Sequence, residues 1–271
     1  FPWTGVPALA VENASATGSA AFAQACAAVA TGRARMAAAV GFGSLARVLA
    51  STGPSGATAF SSPPVGSSGD GPSGDGFDGD GDGSSANAPA LAALSGSAAA
   101  PTAFALLKRQ RMYRWKEPDS AALRVVEKNL GNAAKNPLAQ RRTPVALAEL
   151  SASPMIADPL RRAECCPIGD GAAAVIVTSA AHRPDGRRSI RLAASVTGTD
   201  RWHPAAAFAP DPEITGRLAR DAYRAADIGP DRLDVVEVHD AFSVEELQYV
   251  EDLGLCPPGQ AGARLADGAF G

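Results

Sequence analysis

The chain opens on an apolar stretch, Phe1 to Val11, that ends on the polar pair Glu12-Asn13. Helix-forming residues then dominate Ala20–Ala30, where Phe22, Cys26 and Val29 recur at spacings of four and three and make one apolar face. Gly32 predicts the end of that helix. Met36-Ala37-Ala38-Ala39-Val40-Gly41-Phe42 is a short apolar run closed by glycine, read as a buried strand. The first fifty residues therefore predict strand, turn, helix and strand.

The pattern disappears across residues 51–100. Gly66–Gly76 and Asp78–Ser85 alternate glycine, aspartate and serine. Such a composition cannot bury enough apolar surface to offset its ordering entropy. Regularity returns at Pro101. Ala103–Trp115 predicts a helix with a basic face of Lys108, Arg109, Arg111 and Arg114, and Ser120–Lys135 predicts another with Leu123, Val125, Val126 and Leu130 apolar. A shorter helix is expected around Val145–Leu150. Ala172–Val177 is an unbroken apolar run after Gly169-Asp170-Gly171, as expected for a strand covered on both faces. After a break at Pro184-Asp185-Gly186 come a strand at Ile190–Val196, a helix at Ile214–Ala226, a strand at Val235–Val238 and a helix at Ser243–Leu253. Alternating strands and helices argue for an α/β fold with layered sheets.

Composition narrows the function classes. The 271 residues carry a net charge of −3, which points to neither nucleic acid nor an anionic membrane as a partner. No apolar run reaches the ~20 residues of a membrane span, and a cytoplasmic location is expected. Cys26, Cys165, Cys166 and Cys256 form no CxxC pair and have no histidine at metal spacing, so no metal site is expected. Adjacent Cys165-Cys166 could form a strained vicinal disulfide, but reduced thiols fit the expected compartment better. Asp78-Gly79-Asp80-Gly81-Asp82-Gly83 imitates the start of a calcium loop, yet the twelfth position is Pro89 rather than an acid. A solvated acidic linker is the expectation there.

Two positions carry candidate chemistry. Ser15 stands where the first apolar stretch gives way to a helix. A side chain on such a turn faces free backbone N–H groups, which stabilise a thiolate far more than a serine hydroxyl. Ser15, or Thr17, reads equally as the helix cap, and a reactive serine would need a neighbouring base. His239 follows an apolar run and precedes a helix, at the strand end where α/β sites form. It reads either as a site residue or, with Asp240, as a cap for the helix that starts at Ser243. His182 and His203 read as surface residues.

Several motifs occur together in a recognisable order. They are Val11-Glu12-Asn13-Ala14-Ser15-Ala16-Thr17-Gly18-Ser19; Phe104–Tyr113 with Val126-Glu127-Lys128-Asn129; Asn136-Pro137-Leu138-Ala139-Gln140; Ile156-Ala157-Asp158-Pro159-Leu160; Cys165-Cys166-Pro167; Asp170-Gly171-Ala172-Ala173-Ala174; and Val238-His239-Asp240-Ala241-Phe242 with Glu251–Cys256. This order resembles the thiolase superfamily, in its sterol-carrier and lipid-transfer branch, and touches nearly everything except residues 51–100. The resemblance implies a layered αβαβα fold of two similar halves. The first half would span residues 1–185, including the Gly/Asp/Ser-rich insert, and residues 186–271 would form part of the second. It also implies an acyl-CoA substrate, no bound cofactor, a homodimer, and a separate zinc-ribbon/OB-fold partner protein. Ser15 falls on the position of the family's acyl-accepting cysteine, and His239 on a residue that helps hold a water or donates to the thioester oxygen. Asn13 and Gly18 beside the first, and Asp240 and Phe242 beside the second, are the expected substrate-binding positions.

The departures are informative. Thiolase chemistry needs a nucleophilic cysteine and two further groups, which the family carries in a Gly-His-Pro turn and a Cys-Gly-Gly turn. Neither turn occurs in these 271 residues, so the chain is expected to be a piece of a longer one. Cys26 cannot replace the nucleophile, since eleven residues of helix place it roughly 16 Å away at about 1.5 Å per residue. Three readings follow: a thiolase-type acyltransferase; a lyase that cleaves a β-hydroxyacyl-CoA, such as a steroid side chain, by retro-aldol reaction without an acyl-enzyme; and an inactive homologue. Ser15 is expected at the end of a buried helix, in a cavity shared with His239.

Overall fold

The computed structural model describes residues 5–44, 99–167, 169–183, 185–186, 188–199 and 213–270. The linker predicted at 66–85, the Asp78–Gly83 stretch and His203 lie outside them.

The first apolar run leads through a single 3₁₀ turn, Ala14–Ala16, into helix α1 (Thr17–Ala30). Neither Ser15 nor Thr17 caps that helix in the expected way. The N-cap residue is Ala16, with no side-chain cap. Thr17 Oγ1 turns back, accepting from the Asn13 backbone N–H at 2.8 Å and donating to Glu12 Oε1 at 3.2 Å. Gly32 ends the helix as predicted, its N–H donating to the Val29 carbonyl at 3.1 Å with φ of 72°. That left-handed φ is nearly free for glycine and costly for other residues.

α1 packs on strand β1 (Met36–Ser44), which pairs antiparallel with a later strand, β4 (Asp170–Thr178), in register from Met36↔Thr178 to Ser44↔Asp170. α1 buries only Ala25; Phe22, Cys26 and Val29, the expected inner face, are half-buried. β4 is not covered on both faces. Val175 and Ile176 stay exposed, as do Val40 and Phe42 on β1. An unbroken apolar strand is inward-facing only where a layer packs on each side. Among the described residues α1 supplies one such layer.

The compact core is helical. Helix α2 (Ala99–Trp115), α3 (Ser120–Ala133), α4 (Leu147–Ser151), a small hairpin of β2 (Met155–Ala157) and β3 (Leu160–Arg161), α5 (Glu213–Ala226), α6 (Ser243–Asp252) and α7 (Ala261–Ala266) follow in chain order, with β4 between β3 and α5. On α6, Val244, Leu247 and Val250 recur every third residue and meet Leu107, Ala121, Ala122, Val125, Leu160, Ala261 and Leu265 in one cluster. Each fully buried aliphatic side chain there contributes about 1.5–3 kcal/mol. Phe104 of α2 stacks on Phe242 at 4.4 Å, fixing the residue just before α6.

The predicted basic face of α2 is not a solvated one. Lys108 and Arg111 are buried. Lys108 Nζ donates to Glu164 Oε1 at 2.7 Å and to the Pro159 carbonyl at 3.0 Å. Arg111 lies between Glu117 and Glu251. A buried cation persists only when paired and hydrogen-bonded, and here carboxylates from distant segments meet that need.

The runs at 190–196 and 235–238, read as strands, form no strand and join no sheet among the described residues. Ile190 and Val235 are exposed. Alternation and apolarity predict a strand's conformation; a ladder also needs a neighbour.

Candidate active site

His239 follows the apolar run 235–238 and is exposed. The next residues turn sharply into α6. The Phe242 N–H donates to Glu245 Oε2 at 2.9 Å, so Glu245, not His239 or Asp240, satisfies the helix entrance. Glu245 Oε1 in turn accepts from the Tyr249 hydroxyl at 2.9 Å. The turn is held by the adjacent cysteines. Cys165 bridges antiparallel to Phe242, and the Cys166 N–H donates to the Ala241 carbonyl at 2.8 Å. The two cysteines are free thiols.

Acidic groups crowd this turn. Burial pushes the Asp240 carboxyl up, and Glu246 adds to it, while Lys128 and His239 pull it down. Burial also raises Glu245, against the Phe242 and Tyr249 hydrogen bonds. Burial, then the charge of Asp240, raises the Cys166 thiol, with Arg141 opposing. Cys166 is therefore held as a thiol beside His239's neighbours, a proton holder rather than a ready nucleophile. From α3, Lys128 Nζ donates to Glu246 Oε1 at 2.6 Å, and Asn129 Nδ2 donates to Glu246 Oε2 at 3.0 Å and to Asp240 Oδ2 at 3.5 Å.

Arg141 connects this turn to a groove of about 390 Å³ lined by Val126, Leu130, Gln140, Arg141, Arg142 and Val145, among others. Its lining combines apolar side chains with two arginines and an amide. That composition suits an extended molecule with an anionic end.

The predicted site residues divide into two groups. His239, Asp240 and Phe242 stand together at the entrance to α6. Asn13, Ser15 and Gly18 stand together at the start of α1, all three exposed. The Ser15 hydroxyl has no hydrogen-bond partner among the described residues. The helix behind it is not the buried one expected, since Ala25 is its one buried residue. The groove just described is lined by neither Ser15 nor His239. Among the described residues no group of histidine, cysteine or carboxylate side chains is arranged to hold a metal, and no helix is long and apolar enough to cross a membrane.

Sequence reasoning passed over Cys166, Arg141, Lys128, Asn129, Glu245 and Glu246 as site neighbours. One signal was present. Three acids within seven positions, Asp240, Glu245 and Glu246, need counter-groups, and Lys128-Asn129 offers a cation and an amide on an amphipathic helix.

The family described as thiolase C-terminal domain-like matches residues 198–271, the segment that contains this turn. The benzoylsuccinyl-CoA thiolase subunit BbsB of Thauera aromatica is 34% identical over 167 residues, covering 61% of this chain and 43% of that protein. An acetyl-CoA acetyltransferase of Methanothermobacter thermautotrophicus is 35% identical over 171 residues, covering 62% and 44%. Human sterol carrier protein 2 is 32% identical over 184 residues, covering 64% and 33%. Over these stretches the chain is similar to proteins of the thiolase superfamily. It spans less than half the length of these relatives. A solved structure described as the Ltp2-ChsH2(DUF35) aldolase covers 93% of this chain and 60% of its own, with a TM-score of 0.66 and 24% identity. That likeness shows the α/β thiolase-like fold that the resemblance implied. The similarity to sterol carrier protein 2 agrees with the sterol-carrier branch of the superfamily.

Proposed function

We propose that this thiolase-like chain handles a CoA thioester in a reaction that makes or breaks a carbon–carbon bond beside the thioester carbonyl. The observation that carries this reading is His239, exposed just before the turn into α6, followed by Asp240 and flanked by the Cys166 segment. An imidazole N–H there can donate to a thioester oxygen. A fixed donor aimed at that oxygen lowers the cost of the enolate that every such reaction passes through. The groove beside Arg141 and Arg142 supports the same reading. Its guanidinium groups suit phosphates and its apolar lining suits a flexible acyl or pantetheine arm. Two of the relatives are named for reactions of CoA thioesters, and that chemistry is extended here to this chain. The substrate needs no further cofactor. Two copies would pair, and a zinc-ribbon/OB-fold protein would complete the assembly.

A second reading keeps the enolate and drops the acyl-enzyme. The exposed Ser15 hydroxyl has no base beside it among the described residues, so it is poorly placed to accept an acyl group. Retro-aldol cleavage of a β-hydroxyacyl-CoA needs only proton transfer and enolate stabilisation.

The experiment is an assay of the protein in its longest natural form, wild type and His239→Ala, with a β-ketoacyl-CoA plus CoA and with a β-hydroxyacyl-CoA. Thiolysis that falls at least about a hundredfold in the variant supports acyl transfer. Aldehyde or ketone release that falls likewise supports the lyase. Turnover of either substrate that is unchanged by His239→Ala overturns the reading.

A further inference from the structure

We propose that Asn129 is a positioning residue for His239, with Lys128 as its support; this rests on the reading of His239 given above. Asn129 and Lys128 are neighbours on α3, and both reach the same carboxylate of α6. Lys128 Nζ takes Glu246 Oε1 at 2.6 Å and Asn129 Nδ2 takes Glu246 Oε2 at 3.0 Å, so each oxygen has its own donor. An asparagine amide nitrogen carries two hydrogens. That leaves one for Asp240 Oδ2, 3.5 Å from the nitrogen, in the residue that follows His239. One amide thus joins the helix carboxylate to the carboxylate of the turn.

Two carboxylates side by side would repel, and the one from Glu246 is nearly removed from solvent, at 8% exposure. The ammonium of Lys128 offsets that repulsion, and it is anchored in turn by the Phe270 carbonyl at 3.1 Å. The helices themselves do not depend on this bridge. α3 and α6 already meet through Val125, Val244 and Leu247 in the apolar core. What the bridge adds is the placement of Asp240, and with it the direction in which His239 leaves the chain. The charged or titratable groups around the turn are Asp240, Glu245, Glu246, Lys128, Cys166 and Arg141. Asn129 is the uncharged group that sorts two of them.

The test uses the protein in its longest natural form, in the variants Asn129→Ala, Asn129→Asp and the double variant Asn129→Asp/Glu246→Gln. Two readouts are followed. One is kcat and KM with the CoA thioester that the wild type turns over. The other is the imidazole resonances of His239 at fixed pH, assigned by their loss in His239→Gln. Asn129→Ala is expected to lower kcat about tenfold with KM within about twofold, since a small misplacement of a reacting group acts on the chemical step. It should move the His239 resonances while the melting temperature stays within about 3 °C. Asn129→Asp puts three carboxylates together and should be worse. The double variant returns an amide to the bridge, now from position 246, and should regain most of the loss. His239 resonances that stay in place in Asn129→Ala would overturn the proposal. So would a double variant no better than Asn129→Asp. If the wild type turns over no CoA thioester yet the resonances move and recover as stated, the functional reading fails and the positioning role stands.

Discussion

Arg111 and Glu251 meet through two charged hydrogen bonds, 2.7 and 2.9 Å long, although they lie 140 positions apart and both side chains are almost fully buried. The same guanidinium also grips Glu117 through Nε at 2.8 Å and Nη2 at 3.0 Å, and it donates to Gln248 Oε1 at 3.1 Å. Glu251 Oε1 accepts the Ala261 N–H at 3.0 Å, so this one carboxylate also fixes the start of α7. The planar fork of arginine satisfies two carboxylates at once, and an ammonium cannot.

Removing Arg111 should therefore leave two buried carboxylates without their cation. Arg111→Ala is expected to destabilise the fold by about 3–5 kcal/mol, the cost of orphaning a buried ionic partner. Arg111→Lys should recover only part of that. Urea unfolding followed by circular dichroism measures both. A loss below about 1 kcal/mol in Arg111→Ala would show that the network contributes little.

Gly259 lies in the same corner. Its φ is 78°, and a Cβ built there would come within 2.5 Å of the Trp115 ring. Gly259→Ala combines backbone strain with overlap against a large rigid side chain, and about 2–4 kcal/mol of destabilisation is expected. Gly268 is the control. Its φ is 86°, but nothing lies within 4 Å of the added carbon, so Gly268→Ala should cost only the backbone term, about 1 kcal/mol. Equal losses at the two positions would mean that Trp115 moves aside freely.

The helices were legible in the sequence because their pattern is local. The bounds expected for α3 and α6 differ from those observed by two residues at most, and the start of α2 lies a turn earlier than read. What periodicity could not tell was where the buried charges went. Lys108 and Arg111 look like a basic face because a helix pattern records residue type and not partners, and their carboxylates come from 6 to 140 positions away. The strand readings failed in a different way. Ile190–Val196 and Val235–Val238 form no strand, because pairing is a property of two segments and neither run is paired among the described residues. At the candidate site, His239 could be singled out from sequence because an apolar run followed by a helix is visible in one dimension. Asn129 was not, because its role depends on α3 crossing α6 at Glu246.

The acidity of Glu245 gives a pH test. Burial raises its carboxyl above the ordinary value, against the Phe242 and Tyr249 hydrogen bonds. A raised carboxyl favours the folded state while it is protonated. Its contribution is fully present below the unfolded value of about 4.3 and is lost as pH rises through the folded one. Glu245→Gln keeps an acceptor for the Phe242 N–H and removes the titration. The stability of Glu245→Gln relative to wild type is thus expected to improve steadily as pH rises from about 4 toward neutrality. Glu251 runs the other way. Burial alone would raise it, but Arg111 and the Gly259 and Ala261 amides hold it low, so its contribution is kept above the unfolded value and is lost as pH falls through the folded one. Chemical unfolding of Glu245→Gln and wild type between pH 4 and 7 checks the sign, and a flat difference would mean that Glu245 titrates as it does in the unfolded chain.

Ser15 supplies the last prediction. Its turn precedes α1, where four backbone N–H groups lack intrahelical partners and the helix dipole favours a nearby anion. A cysteine there would gain thiolate character; a serine hydroxyl is too weak an acid to profit from so small a field. The exposed hydroxyl also lacks a base among the described residues that could take its proton. The 271-residue chain is accordingly expected to show no measurable thiolysis of acetoacetyl-CoA. Ser15→Cys alone should not restore it. A thiolate can accept an acyl group, but thiolysis also needs groups that carry protons to and from the nucleophile and the α-carbon, and residues that act as a unit lose most of their effect when any one is missing. What Ser15→Cys should change is alkylation. Iodoacetamide is expected to label the new cysteine faster than the buried Cys256, because exposure and the helix terminus both favour the reactive thiolate. The test is a CoA-release assay and a timed labelling experiment on the chain and its Ser15→Cys variant, read by peptide mass. Robust thiolysis by the unmodified chain would refute this account of Ser15, and labelling at position 15 no faster than at Cys256 would show that the turn does not activate a thiol.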